Sequence, residues 1–220
     1  MYGEPALRIP PTEAWRPFKQ GPHSALFRIE ADPPILAKLA YPRSQPRDSL
    51  RKYINAQARR EYVSAHRLQA AGLATPKVHG WGVSLSPFAA YESVLFMAEI
   101  PHYRSSLVFI RESSDDTARY RLFERLAADM ARLHGHRLIH KDGHFDNIGW
   151  IEQQSLVWID NDIRRAARPA ALRAGFRHMQ RMLRSTARDA VRPREWHYFN
   201  DCLRRELARW PKARILIDEV

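Results

Sequence analysis

Leu133-His134-Gly135-His136-Arg137-Leu138-Ile139-His140-Lys141-Asp142-Gly143-His144-Phe145-Asp146-Asn147 gathers four histidines, two aspartates and an asparagine into fifteen residues. The elements on either side are readable. Upstream, Thr117 to His134 carries Leu122, Leu126, Met130 and Leu133 at helical spacing with charges between them, the pattern of an amphipathic helix. Downstream, Ile148-Gly149-Trp150-Ile151 and Leu156-Val157-Trp158-Ile159 resemble a β-hairpin closed by Glu152-Gln153-Gln154-Ser155. Ala170 to Ala187 and Glu195 to Arg209 then read as two further helices.

The first hundred residues have a different character. Ala25-Leu26-Phe27-Arg28-Ile29 and Ile35-Leu36-Ala37-Lys38-Leu39 flank an Asp32-Pro33-Pro34 turn, as in a hairpin. From about Leu50 to Ala71 there is no Pro or Gly, and Ile54, Ala58, Glu61, Ala65 and Leu68 share one helical face before Gly72 stops the helix. Glu61 is the one charge on that stripe. Val78 to Trp81 and Val94 to Glu99 look like further strands, and Pro101 ends the last. No internal repeat and no low-complexity linker separates the halves. The pattern predicts an α+β chain of two lobes with a cleft between them: residues 1–100 as a small antiparallel sheet with one helix, and 101–220 as a mainly helical lobe.

With 220 residues and a 45% hydrophobic fraction, the chain can bury a core, which excludes disordered and fibrous classes. Its net charge of +12 favours an acidic partner such as phosphate, nucleic acid or an anionic membrane surface. Thirty of the 36 cations are arginine, whose planar fork suits phosphate and carboxylate oxygens. The single cysteine, Cys202, excludes an internal disulfide framework and a cysteine-based zinc cluster; it reads as a buried helix residue in a reducing compartment. Met1 to Pro11 has no apolar run, and the longest apolar stretch, Val94 to Ala98, falls far short of the roughly 20 residues that span a bilayer. The expectation is a cytoplasmic chain, at most peripheral to a membrane.

His140-Lys141-Asp142, four residues, Asn147 resembles the catalytic loop of the protein-kinase-like fold, His-Arg-Asp, four residues, Asn. The resemblance implies that the Asp142 carboxylate orients or accepts the proton of an attacking hydroxyl, while Asn147 holds a Mg²⁺ that bridges the phosphates of ATP. Thirteen residues beyond Asn147, Asp160 ends an apolar strand where that fold places its second metal ligand. The usual Phe-Gly after this aspartate is replaced by Asn161-Asp162. Asp162 is either a further metal ligand or a structural residue bonding to the loop backbone or to an arginine. Lys38 lies inside an apolar strand, which is costly without an anion. The fold implies that Glu61 supplies the anion and that Lys38 turns onto the α- and β-phosphates. Lys19-Gln20-Gly21-Pro22-His23-Ser24 has one glycine where the phosphate-covering loop of that fold has three. Gly21 is the match, with Lys19, His23 or Ser24 as substitute side-chain donors, or the segment is an ordinary turn. Glu99 and Ile100, before Pro101, occupy the place of the hinge whose backbone holds adenine.

Only about 60 residues follow Asp160, and no Ala-Pro-Glu sequence appears. A reduced helical lobe, Ile163-Arg164-Arg165 soon after Asp160, Arg60-Glu61-Tyr62, Leu68-Gln69-Ala70-Ala71-Gly72 and Thr75-Pro76 resemble the Kdo/WaaP lipopolysaccharide kinase family and its InaA-like short members, over roughly residues 15 to 190. The family implies transfer of the ATP γ-phosphate, with Mg²⁺, to a heptose or Kdo hydroxyl of the lipopolysaccharide inner core, at the cytoplasmic face of the inner membrane. Arg164, Arg165, Arg168, Arg173, Arg177, Arg181, Arg184 and Arg188 would suit the glycolipid or another anionic sugar, or an anionic leaflet, if they are not a solvated face paired to acids elsewhere. A small-molecule phosphotransferase of the aminoglycoside or choline type, and a catalytically weak nucleotide-binding pseudokinase, are the alternatives. Nucleic-acid binding is set aside, since no recognition motif accompanies the arginines. The four histidines cluster enough to suggest a metal site, but His140 of such a loop ordinarily serves as a hydrogen-bonding residue.

Overall fold

A computed structural model of the chain describes residues 15–42, 53–86, 89, 91–151 and 155–220. The expected N-terminal segment Met1–Pro11, the start of the expected helix at 50–52 and the hairpin turn at 152–154 lie outside these residues. The chain forms two compact units: Met1–Ala65 with Pro76–Ile100, and His66–Thr75 with Pro101–Val220. A cut at residue 100 therefore differs from the structure by the ten residues 66–75, which group with the second unit because Leu68, Ala71 and Leu73 join its apolar core.

The first unit is a five-stranded antiparallel sheet. Its strands β1 (Trp15–Gln20), β2 (Ser24–Ile29), β3 (Ile35–Ala40), β4 (Val78–Val83) and β5 (Ser93–Ala98) lie in the order β1-β2-β3-β5-β4. Alternation decides the faces. Ala25, Phe27, Ala37, Leu39 and Val94 are buried together, while Lys38, flanked by Leu26 and Leu95, points to the other face. The sequence did not signal β1, because most of it is exposed. Pro17 is tolerated there because the strand is at an edge, where the register shifts between Pro17 and Lys19.

Helix α1 covers Gln57–Ala70; Tyr53–Asn55 of the expected 50–71 are helical too, set off by a break at Ala56. Its first turn is held from outside: the Glu92 carboxylate accepts the Gln57 N–H (3.0 Å) and Ser93 Oγ accepts the Ala58 N–H (3.2 Å). Ile54 precedes this start and is 75% exposed, so it does not belong to the apolar stripe, whereas Ala58, Ala65 and Leu68 are buried. At the other end Gly72, at φ 74°, closes a Schellman motif, with Leu73 N–H bonded to Leu68 O and Gly72 N–H to Gln69 O.

The second unit contains β6 (Arg104–Ser105), α2 (Ser106–Glu112), α3 (Asp116–Gly135), β7 (Leu138–His140), a 3₁₀ turn at Phe145–Asn147, β8 (Ile148–Ile151), β9 (Ser155–Trp158), β10 (Ile163–Arg165), α4 (Pro169–Thr186), α5 (Pro193–Ala208) and a closing 3₁₀ segment, Arg214–Glu219. The apolar residues spaced along α3 are fully buried and form one core with Phe176 and Leu183 of α4 and Phe199, Leu203 and Leu207 of α5. A buried ion pair ties α3 to α5: Arg119 donates to both Glu195 oxygens, at 2.6 and 2.8 Å, and also to the carbonyls of Ile110 and Ala190. Helix α2 was not legible as one. Its run Leu-Val-Phe-Ile suits a strand, but Ser105 Oγ caps it and Leu107, Phe109 and Ile110 reach the core. Cys202 is buried on α5, as expected. Among the described residues no helix is long and apolar enough to cross a membrane.

Candidate active site

In the first unit Lys38 occupies the central strand, so it is not an edge lysine. Its Nζ lies 3.0 and 2.9 Å from the two Glu61 oxygens, and each side chain is only 12% exposed. Gln57, one helical turn earlier, donates to Glu61 Oε1 at 2.9 Å and holds the carboxylate in place. The turn from β1 to β2 is a tight hairpin closed by Gly21 N–H on Ser24 O (2.9 Å). Gly21 thus spends its N–H, and Pro22 has none, so these two residues offer no backbone donor to a phosphate. At the expected hinge, Glu99 donates its N–H to Pro34 O (3.1 Å) and pairs with Arg28 at 2.7 Å; Ile100 follows it without leaving the unit.

In the second unit the loop 140–147 is a closed set of short-range bonds. Asn147, 7% exposed, directs its amide nitrogen at Asp142 O (3.0 Å) and Asp142 Oδ2 (3.1 Å). Both partners are acceptors, so the orientation of the amide is chemically fixed and Oδ1 is the atom turned the other way. His144 accepts the Asp146 N–H on Nδ1 (3.3 Å), which leaves its proton on Nε2, 3.4 Å from Asp142 Oδ1. Both oxygens of the Asp142 carboxylate therefore face donors. The carboxylate itself is about half exposed, at 53%.

The hairpin delivers Asp160 to the same loop. Ile148 pairs with Trp158, and Ile159 N–H bonds to Asn147 O at 2.9 Å, so Asp160 is one residue from a backbone contact with Asn147. Asp160 sits at φ 51°, a left-handed conformation that aspartate tolerates better than most residues but that still needs support. Asp162 lies 3.7 Å from Lys141 Nζ and accepts the Lys141 N–H on its carbonyl (3.1 Å).

The four histidines do not converge. His134 and His140 are fully buried, and burial pushes each imidazole down to about 4, so both are neutral at neutral pH. His134 donates Nδ1–H to Leu138 O at 3.0 Å and packs edge-on against Phe176; His136 lies against Trp210. Among the described residues no group of histidine, cysteine, aspartate or glutamate side chains is arranged to hold a metal ion. An oxygen pair from one amide and one carboxylate is a different donor set, and a hard one of the kind Mg²⁺ takes together with water and phosphate.

Several contacts around the loop had no sequence signal, because they depend on distant segments. Tyr103 donates its hydroxyl to Asp146 O (2.9 Å) and lays its ring over Gly149, where a Cβ would come within 2.4 Å of Cε2. Burial, with the charges of Asp160 and Asp146, raises its pKa. His178 of α4 donates to Lys141 O at 2.8 Å. Helix α4 comes this near β7 because position 175 is glycine; a Cβ there would lie 2.5 Å from Ile139. The outer side of α4 carries Arg173, Arg177, Arg181 and Arg184 at steps of four, four and three, all exposed, on a helix without an acidic residue. Arg177, Arg181 and Arg184 line a groove of about 560 Å³, and Glu219 offsets the charge at one end, 3.4 Å from Arg177.

An antiparallel sheet with a paired central lysine, and a helical unit carrying Asp142, Asn147 and Asp160 on one loop and the end of its neighbouring hairpin, define the protein-kinase-like fold. The sequence profile of the Lipopolysaccharide kinase (Kdo/WaaP) family matches residues 46–202, and the chain belongs to that family. It is accordingly a kinase, a phosphotransferase acting on a sugar hydroxyl. Among solved structures it is similar to "WaaP in complex with acyl carrier protein", at 21% identity and a TM-score of 0.64, over 94% of this chain and 84% of the other. A search of curated proteins found no match.

Proposed function

We propose that the protein is an ATP- and Mg²⁺-dependent kinase that phosphorylates a heptose or Kdo hydroxyl of the lipopolysaccharide inner core. The observation that carries this reading is the Asn147 amide, whose nitrogen is committed to Asp142 and whose oxygen is left to coordinate, beside the strand that ends in Asp160. Asn147 Oδ1 and Asp160 would hold the metal, which when bound neutralises charge on the phosphates. Lys38, kept in register by Glu61, binds the α- and β-phosphates. Glu99 and Ile100 hold adenine through backbone groups. The β1–β2 turn at Gly21 covers the phosphates with side chains of Lys19, His23 or Ser24, since Gly21 N–H is already used. Asp142 orients the acceptor hydroxyl and takes its proton as the new oxygen–phosphorus bond forms and the bond from the γ-phosphorus to the β–γ bridging oxygen breaks, releasing ADP.

The arginine stripe of α4 fits an acceptor rich in phosphate and carboxylate, and an anionic inner leaflet on which such an acceptor is presented. Peripheral attachment at the cytoplasmic face follows from that fit. The test is transfer of labelled γ-phosphate to a panel of dephosphorylated lipopolysaccharide core, an aminoglycoside and a generic protein. Label on the core that disappears in Asp142→Asn, with Mg-ATP binding retained, is the expected result; label on the aminoglycoside alone would move the enzyme to the small-molecule class. Asp160→Asn should also weaken Mg²⁺-dependent nucleotide binding, and equal affinity in wild type and variant would contradict the metal role. Binding of Mg-ATP without transfer to any acceptor is the outcome that the spent Gly21 N–H would favour, a nucleotide-binding pseudokinase.

A further inference from the structure

We infer that Asn161 is a positioning residue: it fixes the tautomer of His140, and through that ring it holds the backbone of Asp142. Asn161 stands where the resemblance leads one to expect a phenylalanine, and it is 5% exposed. A buried carboxamide is costly unless its donors and acceptor are used. Here they are. The amide nitrogen donates to Thr75 Oγ1 at 2.8 Å and to Trp158 O at 3.1 Å. A carbonyl can only accept, so the NH₂ must face this side and Oδ1 must face His140, whose Nε2 is 3.3 Å away. Nε2 therefore carries the imidazole proton and Nδ1 is bare. Bare Nδ1 is the group that accepts the N–H of Asp142, at 3.2 Å. A single chain of donors thus runs from Asp142 N–H through His140 and Asn161 to Thr75 and Trp158.

The opposite tautomer would place an N–H on Nδ1 against the N–H of Asp142 and a lone pair on Nε2 against the Asn161 oxygen. Asn161 excludes it. The ring also lies tilted against Trp158, at 5.5 Å between centroids, and Trp158 is anchored by its indole N–H on Asp129 (2.9 Å). Asn161, the residue that follows Asp160, thereby bears on the backbone of Asp142 through His140. The consequence for turnover rests on that reading; the hydrogen-bond chain does not.

The test starts with the wild-type protein, without nucleotide or acceptor. Nitrogen NMR at neutral pH should show His140 as the Nε2–H tautomer, with the Asp142 amide slow to exchange. Asn161→Leu, which keeps the branching of the side chain and removes the amide, should populate Nδ1–H and speed Asp142 amide exchange at least tenfold. Thr75→Val removes only the far acceptor and should leave the tautomer unchanged, which provides a folded control. In the transfer assay Asn161→Leu should lower kcat about 10- to 100-fold, with the KM for ATP within about twofold. An Nδ1–H tautomer in wild type overturns the proposal whether or not the variant folds. So does an Asn161→Leu protein that keeps the Nε2–H tautomer and a protected Asp142 amide. Absence of transfer in every protein would count against the kinase reading alone, since the tautomer and exchange measurements need no substrate.

Discussion

Two fully buried neutral histidines make stability fall as the solution is acidified, well before most carboxylates titrate. Burial pushes the imidazoles of His134 and His140 down to about 4 in the folded chain, against 6.5 for a free imidazole. Between those values the unfolded chain binds a proton at each site and the folded chain does not. Stability is therefore fully present above pH 6.5 and drains away toward pH 4. At pH 5 nearly every unfolded histidine is charged and about a tenth of the folded ones are, so each site contributes a slope of about 1 kcal/mol per pH unit. From pH 7 to pH 5 the loss is about 2 kcal/mol for each and about 4 kcal/mol for the pair, a large share of the roughly 5–15 kcal/mol that holds a domain together. The assay is urea unfolding at half-unit steps from pH 7 to pH 5, on wild type and His134→Leu. Carboxylates titrate equally in both proteins and cancel in the difference, which should show about half the histidine slope gone in the variant. Parallel curves for the two proteins would refute the reasoning, because they would mean that His134 is charged in the folded state or titrates as it does in the unfolded chain.

Gly175→Ala should destabilise the protein by about 1–3 kcal/mol, because its Cβ lies 2.5 Å from Ile139, and Ile139→Ala in the same chain should recover part of the loss; chemical denaturation checks both. Arg119→Ala leaves the Glu195 carboxylate buried and should cost about 3–5 kcal/mol by the same measurement, more than removing any exposed arginine of α4. Lys38→Met should weaken Mg-ATP binding at least tenfold in calorimetry while the thermal midpoint moves little, since Gln57 still donates to Glu61. Charge reversal of Arg177, Arg181 and Arg184 to glutamate should abolish cosedimentation with anionic vesicles at moderate salt and raise the KM for a soluble core oligosaccharide about tenfold or more.

Much of the site was legible because its chemistry is written in short spacings. The interval from His140 to Asn147 and the apolar strand before Asp160 are local features, and local spacing survives folding unchanged. The Lys38–Glu61 pair was also legible, since a lysine inside an apolar strand has to find an anion and the resemblance to the kinase fold implied Glu61 on the next helix as that anion. The apolar periodicity of α3, α4 and α5 located those helices to within about two residues, because each buries one face in a common core.

What the tertiary structure decided is set by partners far away in the chain. Helix α1 has its first turn held by Glu92 and Ser93 from outside, and Ile54, ahead of that turn, is exposed. The edge strand β1 and the short helix α2 follow from neighbours and a cap rather than from their own patterns. Asn161 read as the loss of a phenylalanine. In the fold it meets Thr75, 86 residues away, and His140, 21 residues away, and becomes the residue that determines which nitrogen of His140 carries a proton. Sequence alone determined which groups are candidates for the chemistry, because type and spacing are covalent facts; only the fold decided how those groups are oriented, because a hydrogen bond depends on where two distant segments come to rest.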